Sequence, residues 1–118
     1  MKEVSKVINY KGKDYKLVFN LNVMELIQEE YGTLNKWGDL TDGKGSKEGE
    51  TDVKALIFGF TAMLNEGIDI DNDENGTNEP FLTHKKVGRM LSDIGFEKAN
   101  ADMNSVVIES VKSDEKNA

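Results

Sequence analysis

The stretch Tyr15–Gly32, YKLVFNLNVMELIQEEYG, decides the fold. Its hydrophobic period changes in the middle. Tyr15, Leu17, Phe19 and Leu21 alternate, the spacing of a strand with one buried face. From Asn22 onward the apolar residues fall at Val23, Leu26 and Ile27, flanked by Met24 and Tyr31, which is helix spacing. Asn22 is placed to accept from a free N–H at the helix start, and Glu25 three residues later to reach back. Gly32 supplies the left-handed position that ends a helix. The stretch therefore predicts a strand running directly into a capped amphipathic helix.

Upstream, Val4 to Tyr10 reads as a second strand. Lys11-Gly12-Lys13-Asp14 is the polar connection of a hairpin. Downstream, Leu34 to Leu40 is expected to form a short helical turn around Trp37. Thr41 to Glu50, TDGKGSKEGE, has three glycines and no apolar residue, and reads as a mobile loop. Asp52 to Glu66 predicts a second helix, capped by Thr51 or Asp52 and followed by Gly67. Val53, Leu56, Ile57, Phe60, Met63 and Leu64 form its stripe. Ala55, Phe58 and Ala62 widen the stripe to most of the circumference, so this helix is expected at the centre. Ile68 to Pro80 reads as an acidic loop. Thr83 to Ile94 predicts a third helix with Val87, Met90, Leu91 and Ile94 at helical spacing, capped by Thr83 and ended by Gly95. Phe96 to Val111 predicts a fourth, although its Val-Val-Ile run lowers helix propensity. The expected fold is α+β: an N-terminal two-stranded β-hairpin followed by about four α-helices. It forms one domain over 1–111, with a frayed polar tail over 112–118.

Composition narrows the function. A chain of 118 residues buries roughly two thirds of its unfolded surface, enough for one core without staples. It has no cysteine, which excludes disulfides, thiolate zinc sites and cysteine nucleophiles. A single histidine, His84, excludes a multi-histidine metal site within one chain. The net charge is −7 and Arg89 is the only arginine. Both argue against a nucleic-acid face and against phosphate clamps. No apolar run approaches a membrane span, and MKEVSKVINY lacks the apolar core of a signal peptide. A soluble protein of the cytoplasm is expected.

Candidate sites are few. Asp71, Asp73, Asn75 and Gly76 match the first half of a calcium loop, where alternate oxygens face the ion. The second half fails, because Leu82 stands where a bidentate Glu belongs. A solvated acidic loop over Asp69–Glu79 is the expectation. His84 has no partner at catalytic spacing and reads as a surface residue. Lys85 and Lys86 beside it oppose the helix dipole, which would be eased by an acidic neighbour. Lys44-Gly45-Ser46 lacks the spacing and the preceding strand of a phosphate loop. No carboxylate pair has the apolar surround of acid–base chemistry. Trp37 and Phe58 read either as core or as partner anchors.

The alternating Tyr15-Lys-Leu-Val-Phe19, the joined helix Asn22 to Gly32, and the later Leu82-Thr83…Val87-Gly88…Leu91 resemble the tail assembly chaperones of long-tailed bacteriophages. The apolar helix around Leu56 to Leu64 fits the one between them in that family. The likeness covers about two thirds of the chain and rests on packing motifs. It implies a non-enzymatic phage or prophage protein of the bacterial cytoplasm, without cofactors. Such a protein binds the tape-measure protein, keeps its apolar helices soluble and helps bring tail tube subunits to it. A longer frameshifted form, common in the family, would extend the chain after Val111. The partner surface is expected around Val107 and Val111, with Trp37 and Phe58 as further contacts, and self-association through the same face when the partner is absent. The alternatives are a small acidic regulatory or ion-sensing domain and a structural tail-completion protein.

Overall fold

The computed structural model describes residues 3–44 and 48–117, the last five by backbone alone. Strands β1 (Val4–Tyr10) and β2 (Lys13–Phe19) pair antiparallel, with Val4 opposite Phe19 and Tyr10 opposite Lys13. The turn is two residues rather than the expected four. Lys11 (φ 52°) and Gly12 (φ 79°) both take positive φ, the geometry whose twist matches a tight hairpin. Leu17 and Phe19 are wholly buried and Ile8 nearly so. Val18, on the opposite face, is buried too, whereas Val7 on that face is exposed. The alternation predicted for β2 therefore fails at its end.

Five helices follow: α1 (Leu21–Tyr31), α2 (Leu34–Asp42), α3 (Val53–Asn75), α4 (His84–Ile94) and α5 (Phe96–Asn117). The α+β class is as expected, with one helix more. That helix is α2, expected as a turn. Thr33 caps it by accepting from Lys36 N–H at 3.0 Å, and Gly43 (φ 84°) ends it. Thr41 and Asp42, assigned to the loop, are thus helical. The base of that loop is closed by Asp52 N–H to Leu40 O (2.8 Å) and Thr51 Oγ1 to Thr41 O (2.9 Å). Residues 45–47, which carry most of the Lys44-Gly45-Ser46 reading, lie outside the described residues.

Three further boundaries differ from expectation. The cap of α1 is Asn20, not Asn22: its Oδ1 accepts from the N–H groups of Asn22 and Val23. Asn22 instead donates to Glu66 Oε2 at 2.8 Å. Leu21, read as the last strand residue, is the exposed first residue of this helix. Next, α3 runs through Gly67 to Gly76, so Ile68–Asn75 is helix rather than loop. Gly67 lies where a β-carbon would overlap the Lys16 carbonyl. Its missing side chain lets α3 cross β2 at close approach. Finally, α5 continues through the expected tail to Asn117. Ser113 to Asn117 contains no Gly or Pro to stop it.

The core is centred on α3. Leu56, Phe60, Met63 and Leu64 are buried, as the sequence implied, while Ile57 is only half-buried. Ion pairs then hold α5 over the Leu17 face of the hairpin. Lys6 Nζ and Lys98 Nζ reach the two oxygens of Asp102 at 2.8 and 3.0 Å. Burial alone would raise the Asp102 pKa, but the two lysine hydrogen bonds and their charge outweigh it and hold the carboxyl below its ordinary value.

Candidate functional site

Trp37 fixes the first of two apolar grooves. Its indole Nε1 donates to Ala55 O at 2.9 Å, and its ring lies over Gly59. Trp37 is 1% exposed, so of its two sequence readings the core one describes its packing. It is the floor of a groove, not a protruding anchor. Asn100 Nδ2 reaches Thr41 O (3.2 Å) and Asn104 Nδ2 reaches Asp42 Oδ1 (3.4 Å), which ties α5 alongside α2. Between them lies a groove of roughly 400 Å³, walled by Leu34 and Gly38 on one side and Val107, Ile108 and Val111 on the other. Val107 and Val111 are a turn apart and half-buried, and Ile108 is 53% exposed. Asp39, Asp42 and Lys112 stand at the rim.

The second groove, roughly 440 Å³, lies between α1, α3 and the segment entering α4. Its apolar surface is Val23, Leu26, Phe58 and Phe81. Phe58 packs edge-on against Tyr31, with ring centroids 5.4 Å apart. Burial, then the charges of Asp52 and Glu30, push the Tyr31 phenol pKa upward. Phe81 is held outward because Asn65 brackets its neighbour: Leu82 N–H donates to Asn65 Oδ1 (2.7 Å) and Asn65 Nδ2 donates to Leu82 O (2.9 Å).

The fold thus brings Trp37, Val107 and Val111 to one groove and leaves Phe58 in the other. Sequence reasoning missed Leu34, Leu26 and Phe81 as groove walls. Ile108 was noticed only as part of an apolar run. Its position one residue past Val107 on a helix already supplied with Met103 and Val106 for the core was the available signal.

Both grooves combine an apolar wall with polar and charged residues along their edges, the general character of a binding pocket. Among the described residues, no group of three His, Asp or Glu is placed to hold a metal ion, and no helix is long and apolar enough to cross a membrane. The acidic loop expected over Asp69–Glu79 is helical as far as Asn75, so the partial calcium-loop pattern is not laid out as a loop. On a helix Asp71 and Asn75 share a face while Asp73 points away from it. Asp71 is also engaged by Lys16 at 2.8 Å. His84 is exposed at the first position of α4, beside the second groove. Comparison with family models, curated proteins and solved structures gives no match to this chain.

Proposed function

We propose that this protein is a non-enzymatic tail assembly chaperone of a phage or prophage, binding an apolar helical segment of a tape-measure protein and assisting assembly of the tail tube around it. The observation that carries the reading is the α2–α5 groove. A one-turn strip of Val107, Ile108 and Val111 faces Leu34 across a Trp37 floor, and an amphipathic helix fits such a groove through residues spaced three and four apart. Burying the exposed Ile108 there contributes at most about 1.5–3 kcal/mol, and the half-buried Leu34, Val107 and Val111 less each, against a sizeable cost of association. A single groove therefore gives modest affinity, suited to a partner that is later released.

Two further features support the reading. The order of elements read from the sequence resembles that of the family named above. The net charge of −7 keeps a complex of apolar helices dispersed. The reading requires a long helix-rich reading frame next to its gene, and the test is co-expression with that frame. The chaperone reading requires that frame's product to become soluble and co-purify with this chain. Equal solubility with and without the chain, and no co-purification, would remove it.

A further inference from the structure

The sequence argued against phosphate binding from a single arginine and a net charge of −7. The fold concentrates positive charge all the same. Lys11 and Lys13, from the hairpin turn and the start of β2, come beside Lys86 and Arg89 on α4, around a cleft of roughly 410 Å³. Tyr10 and Tyr15, on one face of the hairpin, form its wall. Two carboxylates answer this charge. Glu79 engages Lys13 at 2.8 Å, and Asp93 accepts the Tyr10 hydroxyl at 2.7 Å. Lys11, Lys86 and Arg89 make no ion pair among the described residues. Four cations against these two carboxylates leave the cleft with a surplus of positive charge, which an anion offsets.

We propose that this cleft binds a small phosphate ester or polyphosphate, gripped by Lys11, Lys86 and Arg89. Three arguments favour this occupant. The cations converge on one compact cleft instead of lining a track. That suits charge concentrated on one group over carboxylates spaced along a peptide at about 3.3 Å per residue. The arginine fork matches a phosphate's paired oxygens, with the lysines as mobile point charges. The cleft has the volume of a small-molecule site, and its wall is Tyr10 and Tyr15, whose rings lie under Lys11 Nζ at 5.4 Å and Lys13 Nζ at 5.3 Å. The site lies apart from both apolar grooves, and its existence does not depend on the chaperone reading.

The test is amide NMR and calorimetry on the whole chain at physiological salt, with pyrophosphate, magnesium-free ATP and hexaglutamate as probes. We expect saturable shifts within residues 10–15 and 86–90 for at least one phosphate probe, at about millimolar concentration or below. Lys86→Ala and Arg89→Ala, both at exposed positions, should each weaken binding about tenfold. Lys36→Ala on α2 should not change it. Pyrophosphate binding as well as ATP would assign the site to the oxyanion alone; tighter ATP binding would add the tyrosine wall. The proposal is overturned if neither phosphate gives saturable shifts, if the shifts lie elsewhere, if both α4 variants bind normally, or if hexaglutamate binds as tightly as the phosphates.

Discussion

Gly59 lies directly beneath the indole of Trp37: a β-carbon at position 59 would overlap Cζ2 of the ring and lie 3.0 Å from Cε2. This close approach sets the floor of the α2–α5 groove. Gly59→Ala should lower stability by about 1–3 kcal/mol through overpacking, although alanine raises helix propensity by about 1 kcal/mol. Gly88→Ala is the matched control. Its new carbon would meet only Ile57 Cδ1 at 3.5 Å, so the helix gain should appear as about 0.5–1 kcal/mol of added stability. Urea denaturation of the pair checks the contact. Equal shifts would show that Trp37 can move aside.

Gly67 tests the approach of α3 to Lys16. In the helix that runs to Asn75, Gly67→Ala drives a methyl into the Lys16 carbonyl. The rigid strand backbone cannot yield as a side chain would. The expected loss is about 1–3 kcal/mol in denaturant. A helix ending at Glu66, as the sequence implied, would put Gly67 at its left-handed end, where alanine costs about 1 kcal/mol by backbone strain alone. A neutral or stabilising result would therefore contradict the close approach of α3 to Lys16.

The Asp102 cluster should make stability depend on pH with a defined sign. The carboxyl is buried, which raises its pKa, but Lys6 and Lys98 lower it further than burial raises it. A carboxyl depressed on folding contributes stability that is complete above its unfolded value of about 3.9. That contribution is lost as pH falls through the lower folded value. Asp102→Asn should cost about 1–3 kcal/mol at pH 7. The gap between variant and wild type should close progressively below about pH 4. A deficit that stays constant between pH 7 and pH 2 would place its origin in packing.

The segment from Asp71 to Leu82 should not bind calcium tightly. Its first acidic residues are dispersed around a helix, Asp71 is held by Lys16, and Asn72 is committed to Thr77 and Glu79. Tight calcium sites need six or more converging oxygens. Calorimetry at physiological salt should show no micromolar affinity. Such an affinity would require α3 to unwind and would favour the ion-sensing alternative.

Local signals along the chain were reliable where cap, period and stop agreed. Thr83, the spacing of Val87, Met90 and Leu91, and Gly95 together marked α4. They misled where a glycine had two meanings. Gly67 has the look of a helix end, yet it is the position where α3 must approach Lys16 closely. Only the tertiary contact distinguishes the two. Asn20 and Asn22 are equally good caps by chemistry, and the strand's end at Phe19 selects the first. For the site, Val107 and Val111 were visible as apolar surplus on α5. That they share a groove with Trp37 depended on α2 being a full helix, which a short polar segment with Gly38 in its middle did not advertise. The basic cleft was invisible for a similar reason. Its cations come from segments about seventy residues apart.

Ile108 gives the most direct test of partner binding. It lies in the α2–α5 groove, is 53% exposed and can be changed without opening the core. The measurement is the affinity of an apolar helical segment of the tape-measure protein that the proposal requires, as a peptide, for the wild type and for Ile108→Asp by calorimetry. The account predicts saturable binding to the wild type and a loss of about tenfold or more in the variant, with thermal unfolding unchanged. No binding to the wild type, or equal binding to both, would contradict it.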